Sequence, residues 1–177
     1  MNVPDLIAET RGALCTPIVM PRLGVDIGRV IIRSDTDDPE RSIFGVDFLQ
    51  TPEVEGAIDS LRELTASDHW DQIHLVSKCR PAVQERTKLW LDSNSFYERT
   101  GISRDNVHFC LERPEKGLIA ASLALTHFVD DRQDVLNVMP ESVTTRVLFS
   151  PAYKDITPPV GMVVARNWGE VRAVLKK

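Results

Sequence analysis

A three-layer α/β fold on a mainly parallel sheet of five or six strands is predicted by three features of this sequence. Short apolar runs alternate with helical patterns from about residue 23 onward, and repeated strand–helix crossovers join parallel neighbours while covering both sheet faces. Chemically reactive side chains fall directly after those runs, at the carboxyl ends of strands where such sheets carry their functional groups. The length, 177 residues, suits one domain with a sizeable core.

The first strand is expected at residues 23–28 (LGVDIG), a buried run that closes on a carboxylate and a glycine. Val30, Ile31 and Ile32 either continue it or open a flap, and the polar stretch 33–50, with Asp35, Asp37, Asp38 and Pro39, forms a long loop or small hairpin. A helix is expected from Thr51. Its hydroxyl can cap free amides, and Pro52 suits a first turn, where a missing N–H forfeits no partner. Val54, Ala57, Ile58, Leu61 and Leu64 then share one face at helical spacing. The second strand covers 73–76, with Ser77 behind it. Pro81 opens the next helix, turning Val83, Thr87, Trp90 and Leu91 inward. The third strand is 107–110, and Lys116 begins a helix that runs to about Leu125. The fourth, 127–129, leads straight into Asp130 and Asp131, and strands at 146–149 and 161–165 complete the sheet. Asn167 and Glu170 have the spacing of a capping box for the last helix. Its apolar stripe is Val171, Val174 and Leu175, and Lys176 and Lys177 sit where the helix dipole favours cations.

Composition narrows the function classes. Hydrophobic residues make up 42% and charged residues 27%, an ordinary globular balance. A net charge of −5 argues against a general nucleic-acid binder, which wants a basic stripe. A phosphorylated substrate is still compatible, because a bound cation inverts the local field. The cysteines, Cys15, Cys79 and Cys110, form no CxxC pair, so a zinc site is not expected and a reducing compartment is the simplest reading. The N-terminal stretch reads as no signal peptide and no run is long enough for a membrane span, so a cytoplasmic protein without a membrane partner is expected.

In chain order the chemistry-bearing set is Asp26, Ser77, Lys116, Asp130 and Asp131. Taken singly, each has a plainer role as a cap, a turn residue or a solvated charge. Their coincidence in order and context carries the weight. The sequence holds no phosphate-binding GxxxxGK loop followed by Ser or Thr, no GxGxxG, and no HExxH or GxSxG. A receiver domain also uses acids, a hydroxyl and a lysine, but its acid pair comes early, whereas this one comes late.

The segments VDIGRVI (25–31), HLVSK (74–78), EKGLIA (115–120) and HFVDDRQDV (127–135) resemble the haloacid dehalogenase superfamily, most of whose members are phosphatases. The likeness spans residue 23 to about 149, and the acid pair after a strand is its most specific part. The resemblance implies a Rossmann-like, HAD-like fold and a magnesium-dependent phosphomonoester hydrolase. Asp26 would be the nucleophile and form an aspartyl-phosphate. Magnesium would be held by Asp26, the Gly28 carbonyl, Asp131 and Asp130, the last directly or through water. Ser77 would hydrogen-bond the phosphoryl oxygens, and Lys116 would pair with Asp26 and the phosphate. Lys78 joins Ser77 and Lys116 as a substrate-binding residue, and Arg29 and Arg80 flank the same place.

Two departures from the family pattern are informative. Gly28 stands where these phosphatases normally carry an aspartate that protonates the leaving oxygen and then activates water; losing such a group costs on the order of 10²–10⁴ in rate. The intervals around Ser77 are largely consumed by one helix and one strand each, so residues 1–177 read as a single domain with a flap at about 29–50 and no large cap. Capless relatives tend to have open sites that suit large substrates, or sites covered by a neighbouring subunit, so a homo-oligomer is compatible with this reading. The alternative function is a catalytically impaired relative that binds a phosphorylated ligand or a protein partner. A hydrolase of non-phosphate bonds is disfavoured by the acid pair, which implies a metal. His74, His108 and His127 read as structural, Trp90 and Trp168 as packing anchors, and Cys79, close to Ser77, as an inert thiol.

Overall fold

The structure, a computed structural model, describes residues 20–33, 43–149, 158 and 160–176. Six strands form one sheet: β1 (Arg22–Val25), β2 (Gln72–Lys78), β3 (Val107–Cys110), β4 (His127–Asp130), β5 (Thr145–Phe149) and β6 (Val163–Ala165). Their order is β3-β2-β1-β4-β5-β6 and every pairing is parallel. The chain thus works outward from β1 to β3, crosses to the other side of β1, and works outward again to β6. Between β1 and β4 the direction reverses, and the crevice above that point is where sheets of this topology take ligands.

Strand periodicity sorts the core into two layers. Leu23, Val25, Ile73, Leu75, Val129, Val147 and Phe149 face one side. They pack against α1 (Ala57–Thr65), α2 (Pro81–Ser93), α3 (Phe96–Thr100) and α6 (Trp168–Leu175) through Leu61, Leu64, Trp90, Phe96 and Trp168. Val76, Phe128 and Leu148 face the other side, under α4 (Glu115–Ser122) and α5 (Gln133–Asn137). The result is the three-layer, Rossmann-like arrangement with helices on both faces. Close approach demands glycine on the second face. A Cβ at Gly24 would lie 2.5 Å from the Phe128 ring, and one at Gly117 would lie 2.5 Å from the Val138 carbonyl oxygen.

The expected helix at Thr51 begins six residues later than its sequence signals suggest. Residues 51–54 are extended because they pair with the turn after β1: Ile32 bridges Glu53, Arg33 N–H donates to Pro52 O at 2.9 Å, and Val54 N–H donates to Ile31 O at 2.7 Å. Thr51 Oγ1 donates to Phe48 O, closing the 3-10 turn Phe48–Gln50 instead of capping a helix. Gly56, at φ 76°, is the residue before α1, a backbone region that suits glycine. Val30, Ile31 and Ile32, read as strand or flap, form a buried turn. β2 runs two residues further than expected because Ser77 and Lys78 pair with Phe109 and Cys110. α4 ends at Ser122, before Ala124 at φ 52°. At α6 the capping signal is realised: Glu170 N–H donates to Asn167 Oδ1 at 2.9 Å, and the Glu170 carboxylate reaches back to the Arg166 amide at 2.8 Å. Among the described residues no helix is long and apolar enough to cross a membrane.

Candidate functional site

The site grows from the register of β1 and β4. Val25 pairs with Val129, and Asp26 N–H donates to Val129 O at 2.9 Å. Asp26 and Asp130 are the next residues on each strand path, so they emerge side by side at the reversal point. Past Asp26 the chain makes a tight turn in which the Ile31 and Ile32 amides both donate to Ile27 O, at 2.9 and 3.0 Å. Ile27, Val30 and Ile31 are buried beneath it, and the Trp168 indole N–H donates to Val30 O at 2.8 Å. Anchored from below, the turn holds Gly28 and Arg29 outward. Arg29 adopts φ 64°, uncommon for a residue with a side chain, and its Nε lies 2.7 Å from Asp131 Oδ2.

Lys116 reaches the same point from the first turn of α4. The glycine after it lets α4 sit hard against the chain at Val138, and Lys116 is only 3% exposed. Its Nζ donates to Asp26 Oδ1 at 2.7 Å and to Asp130 Oδ2 at 2.8 Å. Asp130 Oδ1 accepts the Arg132 amide at 2.9 Å. Carboxylate oxygens of Asp26, Asp130 and Asp131 all lie within 4.8 Å of one another.

The Lys116 ammonium and the Arg29 guanidinium together do not balance three carboxylates. Burial raises Asp130 to about 7, the Asp26 charge adds to the rise, and Lys116 opposes it. Burial, then Asp26, also raises Asp131, against the pull of Arg29. Desolvation works against the Lys116 charge, yet Asp26 and Asp130 outweigh it and hold the ammonium above its ordinary value. A buried cluster with this surplus of negative charge, made entirely of oxygen donors, fits a hard divalent cation such as magnesium. Gly28, whose carbonyl the resemblance adds to the set, lines the same cleft. Asp26, Asp130 and Asp131 are the groups whose positions would let them hold the ion.

The cluster opens into a cleft of about 680 Å³, within the range of small-molecule sites. Ser77, Lys78, Cys79 and Arg80 line it from the end of β2, and Ile43, Phe44, Val83 and Thr87 also contribute to its lining. Arg86 of α2 steadies the 43–48 segment by donating to Gly45 O at 3.0 Å, with its guanidinium 5.2 Å from the Phe48 ring centroid. Burial pushes the Cys79 thiol up, against a hydrogen bond with Ser77 that works the other way, so Cys79 is not primed as a nucleophile.

Every residue singled out for the site therefore meets at one sheet edge: Asp26, Gly28, Ser77, Lys78, Lys116 and Asp131 line the cleft, and Asp130 lies buried beneath. The flap acids Asp35, Asp37 and Asp38, and Cys15, lie outside the described residues. His74 and His108 sit away from the site and bond each other, Nδ1 to Nε2 at 3.1 Å. Sequence reading missed the second contact of Lys116, with Asp130, and the rim residues Arg33, Arg113 and Arg132. Arg113 precedes α4 and Arg132 follows the acid pair, so both occupy loops at the carboxyl ends of strands, a position that could have flagged them. No protein-family model matches this chain, and no curated protein is significantly similar to it.

Proposed function

We propose that this protein is a magnesium-dependent phosphomonoester hydrolase of the haloacid dehalogenase superfamily, acting through an aspartyl-phosphate at Asp26. The observation that carries the reading is the Lys116 ammonium wedged between Asp26 and Asp130, with Asp131 close by, at the floor of an open cleft. That arrangement orients one carboxylate toward the cleft, and Lys116, with a cation held by the acids, would supply the positive charge phosphoryl transfer needs.

Lys116 fixes Asp26 Oδ1, which restricts the carboxylate to one rotamer and lessens its repulsion of an incoming phosphate. The free oxygen of Asp26 attacks phosphorus, the ester P–O bond breaks, and the alcohol oxygen leaves with the bonding pair. Ser77, at the end of β2 and lining the cleft, would donate to a phosphoryl oxygen. Water then attacks the same phosphorus, and the bond to Asp26 breaks to regenerate the carboxylate and release orthophosphate. Magnesium, when bound, supplies the charge neutralisation that lets two anions approach. The apolar side chains of Ile43, Phe44 and Val83 in the lining give the organic part of a substrate something to pack on.

Gly28 favours the second reading, a relative that binds a phosphorylated ligand without turning it over, because no acid stands at that position. The two are separated by incubating the protein and Asp26→Asn with magnesium and an aryl phosphate, whose leaving group needs little protonation. Hydrolysis by the wild type that falls by at least on the order of 10³ in the variant supports the nucleophile. Equal rates exclude Asp26 from that role. No hydrolysis by either, with magnesium binding seen by calorimetry, supports the silent binder.

A further inference from the structure

The cleft has a second chemical character above its acidic floor. Its lining includes Arg29, Arg33, Lys78, Arg80, Arg113 and Arg132, in a chain whose net charge is −5. Arg29 is engaged by Asp131, and Arg113 and Arg132 share Asp134 at 3.7 and 3.0 Å. Lys78 and Arg80 differ: both are exposed, and neither has an ion-pair partner among the described residues. They flank Cys79 just past Ser77, and α2 starts at Pro81, so the positive end of its dipole adds to the same rim. Charge left uncompensated inside a concave site focuses a field on whatever enters it.

The lining is equally informative in what it offers for proton transfer. Among its described residues the carboxyl groups are those of Asp26 and Asp131, and neither histidine nor tyrosine is present. Among these described residues an alkyl alcohol leaving from the cleft finds no carboxyl, imidazole or phenol donor besides the two acids of the cluster. A leaving phosphate needs none, because it departs as a stable anion, and cations at the rim favour that anion.

We propose that the substrate carries a second phosphoryl group joined to the reacting one, as in a phosphoanhydride or short polyphosphate, and that Lys78 and Arg80 hold it. This rests on the phosphohydrolase reading above and names its substrate class. In the first step an Asp26 oxygen bonds to the terminal phosphorus and the bridging P–O bond breaks. The electron pair stays with the leaving phosphate, which departs without taking up a proton. Water then bonds to the phosphorus, the bond to the Asp26 oxygen breaks, and orthophosphate leaves as the water proton passes to solvent.

The test measures orthophosphate release, with magnesium, from tripolyphosphate, glycerol phosphate and an aryl phosphate, for the full chain and for Lys78→Ala/Arg80→Ala. The wild type is expected to show a kcat/KM for tripolyphosphate at least about tenfold above that for glycerol phosphate. In the double variant the ratio of kcat/KM for tripolyphosphate to that for the aryl phosphate should fall at least about tenfold, the scale of one lost charge-assisted contact. Loss of both activities in equal proportion overturns the proposal and leaves the hydrolase reading intact. If no compound is turned over, the hydrolase reading fails separately, and calorimetric titration with tripolyphosphate decides the rest. Binding at least about tenfold weaker in the double variant supports a site for the second phosphate, and equal binding overturns it.

Discussion

At Gly28 an added Cβ would meet no atom within 4 Å, and the backbone there is not in the left-handed region. Neither space nor strain therefore requires glycine, and Gly28→Asp should change stability by no more than about 0.5 kcal/mol. The same variant should raise kcat on alkyl phosphates by on the order of 10²–10⁴, the range a positioned acid/base supplies. If it binds magnesium like the wild type and gains no rate, the leaving-group proton has another source and the missing acid is irrelevant. Neighbouring Arg29 illustrates why residue roles resist reading in one dimension. Its pairing with Asp131 depends on a left-handed turn that arginine rarely adopts, so nothing local in GRV announces it.

Elements show both the reach and the failure of local signals. Thr51, Pro52 and Glu53 carry good helix-start chemistry, yet the chain is extended there because Ile32 and the turn carbonyls pair with it first. Tertiary hydrogen bonds to a buried turn outweigh the roughly 1 kcal/mol that a cap offers. The β2–β3 pair yields a pH prediction. His74 is buried, and desolvation with the neighbouring His108 lowers its pKa to about 4; desolvation lowers His108 too. Two imidazoles sharing one hydrogen bond do not both take a proton. A base whose folded pKa is depressed binds fewer protons folded than unfolded, so its share of stability is present above the unfolded value near 6.5 and is lost as pH falls toward 4. Between pH 7 and pH 5 this amounts to about 2 kcal/mol. Urea titrations should show His74→Gln losing markedly less stability over that interval than the wild type; equal losses would dismiss the histidine pair as the source.

Across the whole molecule, charge is distributed against the average. The chain is acidic overall, yet cations crowd the cleft mouth and a carboxylate cluster lies beneath them. Because the two buried carboxylates of Asp26 and Asp130 and the partly buried Asp131 face only Lys116 and Arg29, a divalent cation that binds the folded state alone should stabilise it. At a hundredfold excess over Kd the gain is about 2.7 kcal/mol, read as a rise in Tm with magnesium relative to EDTA at matched ionic strength. Asp131→Asn should lose most of that rise. A wild-type Tm that magnesium leaves unmoved at millimolar concentration would remove the cluster from consideration as a metal site.

The strands of the parallel sheet and the acids at their ends were legible from order alone, because apolar runs broken by helical periods admit few arrangements and reactive groups then fall on one edge. Three-dimensional contact settled the rest. Lys116 meets Asp26 across 90 residues of chain and Asp130 across 14, and this double grip exists because β1 and β4 lie side by side while a glycine lets α4 settle against its neighbour. The basic rim emerges in the same way, from loops far apart in the chain that share one crevice. Local chemistry names the groups, but the sum of charges at a point is a property of distance, and distance is written only by the packed fold.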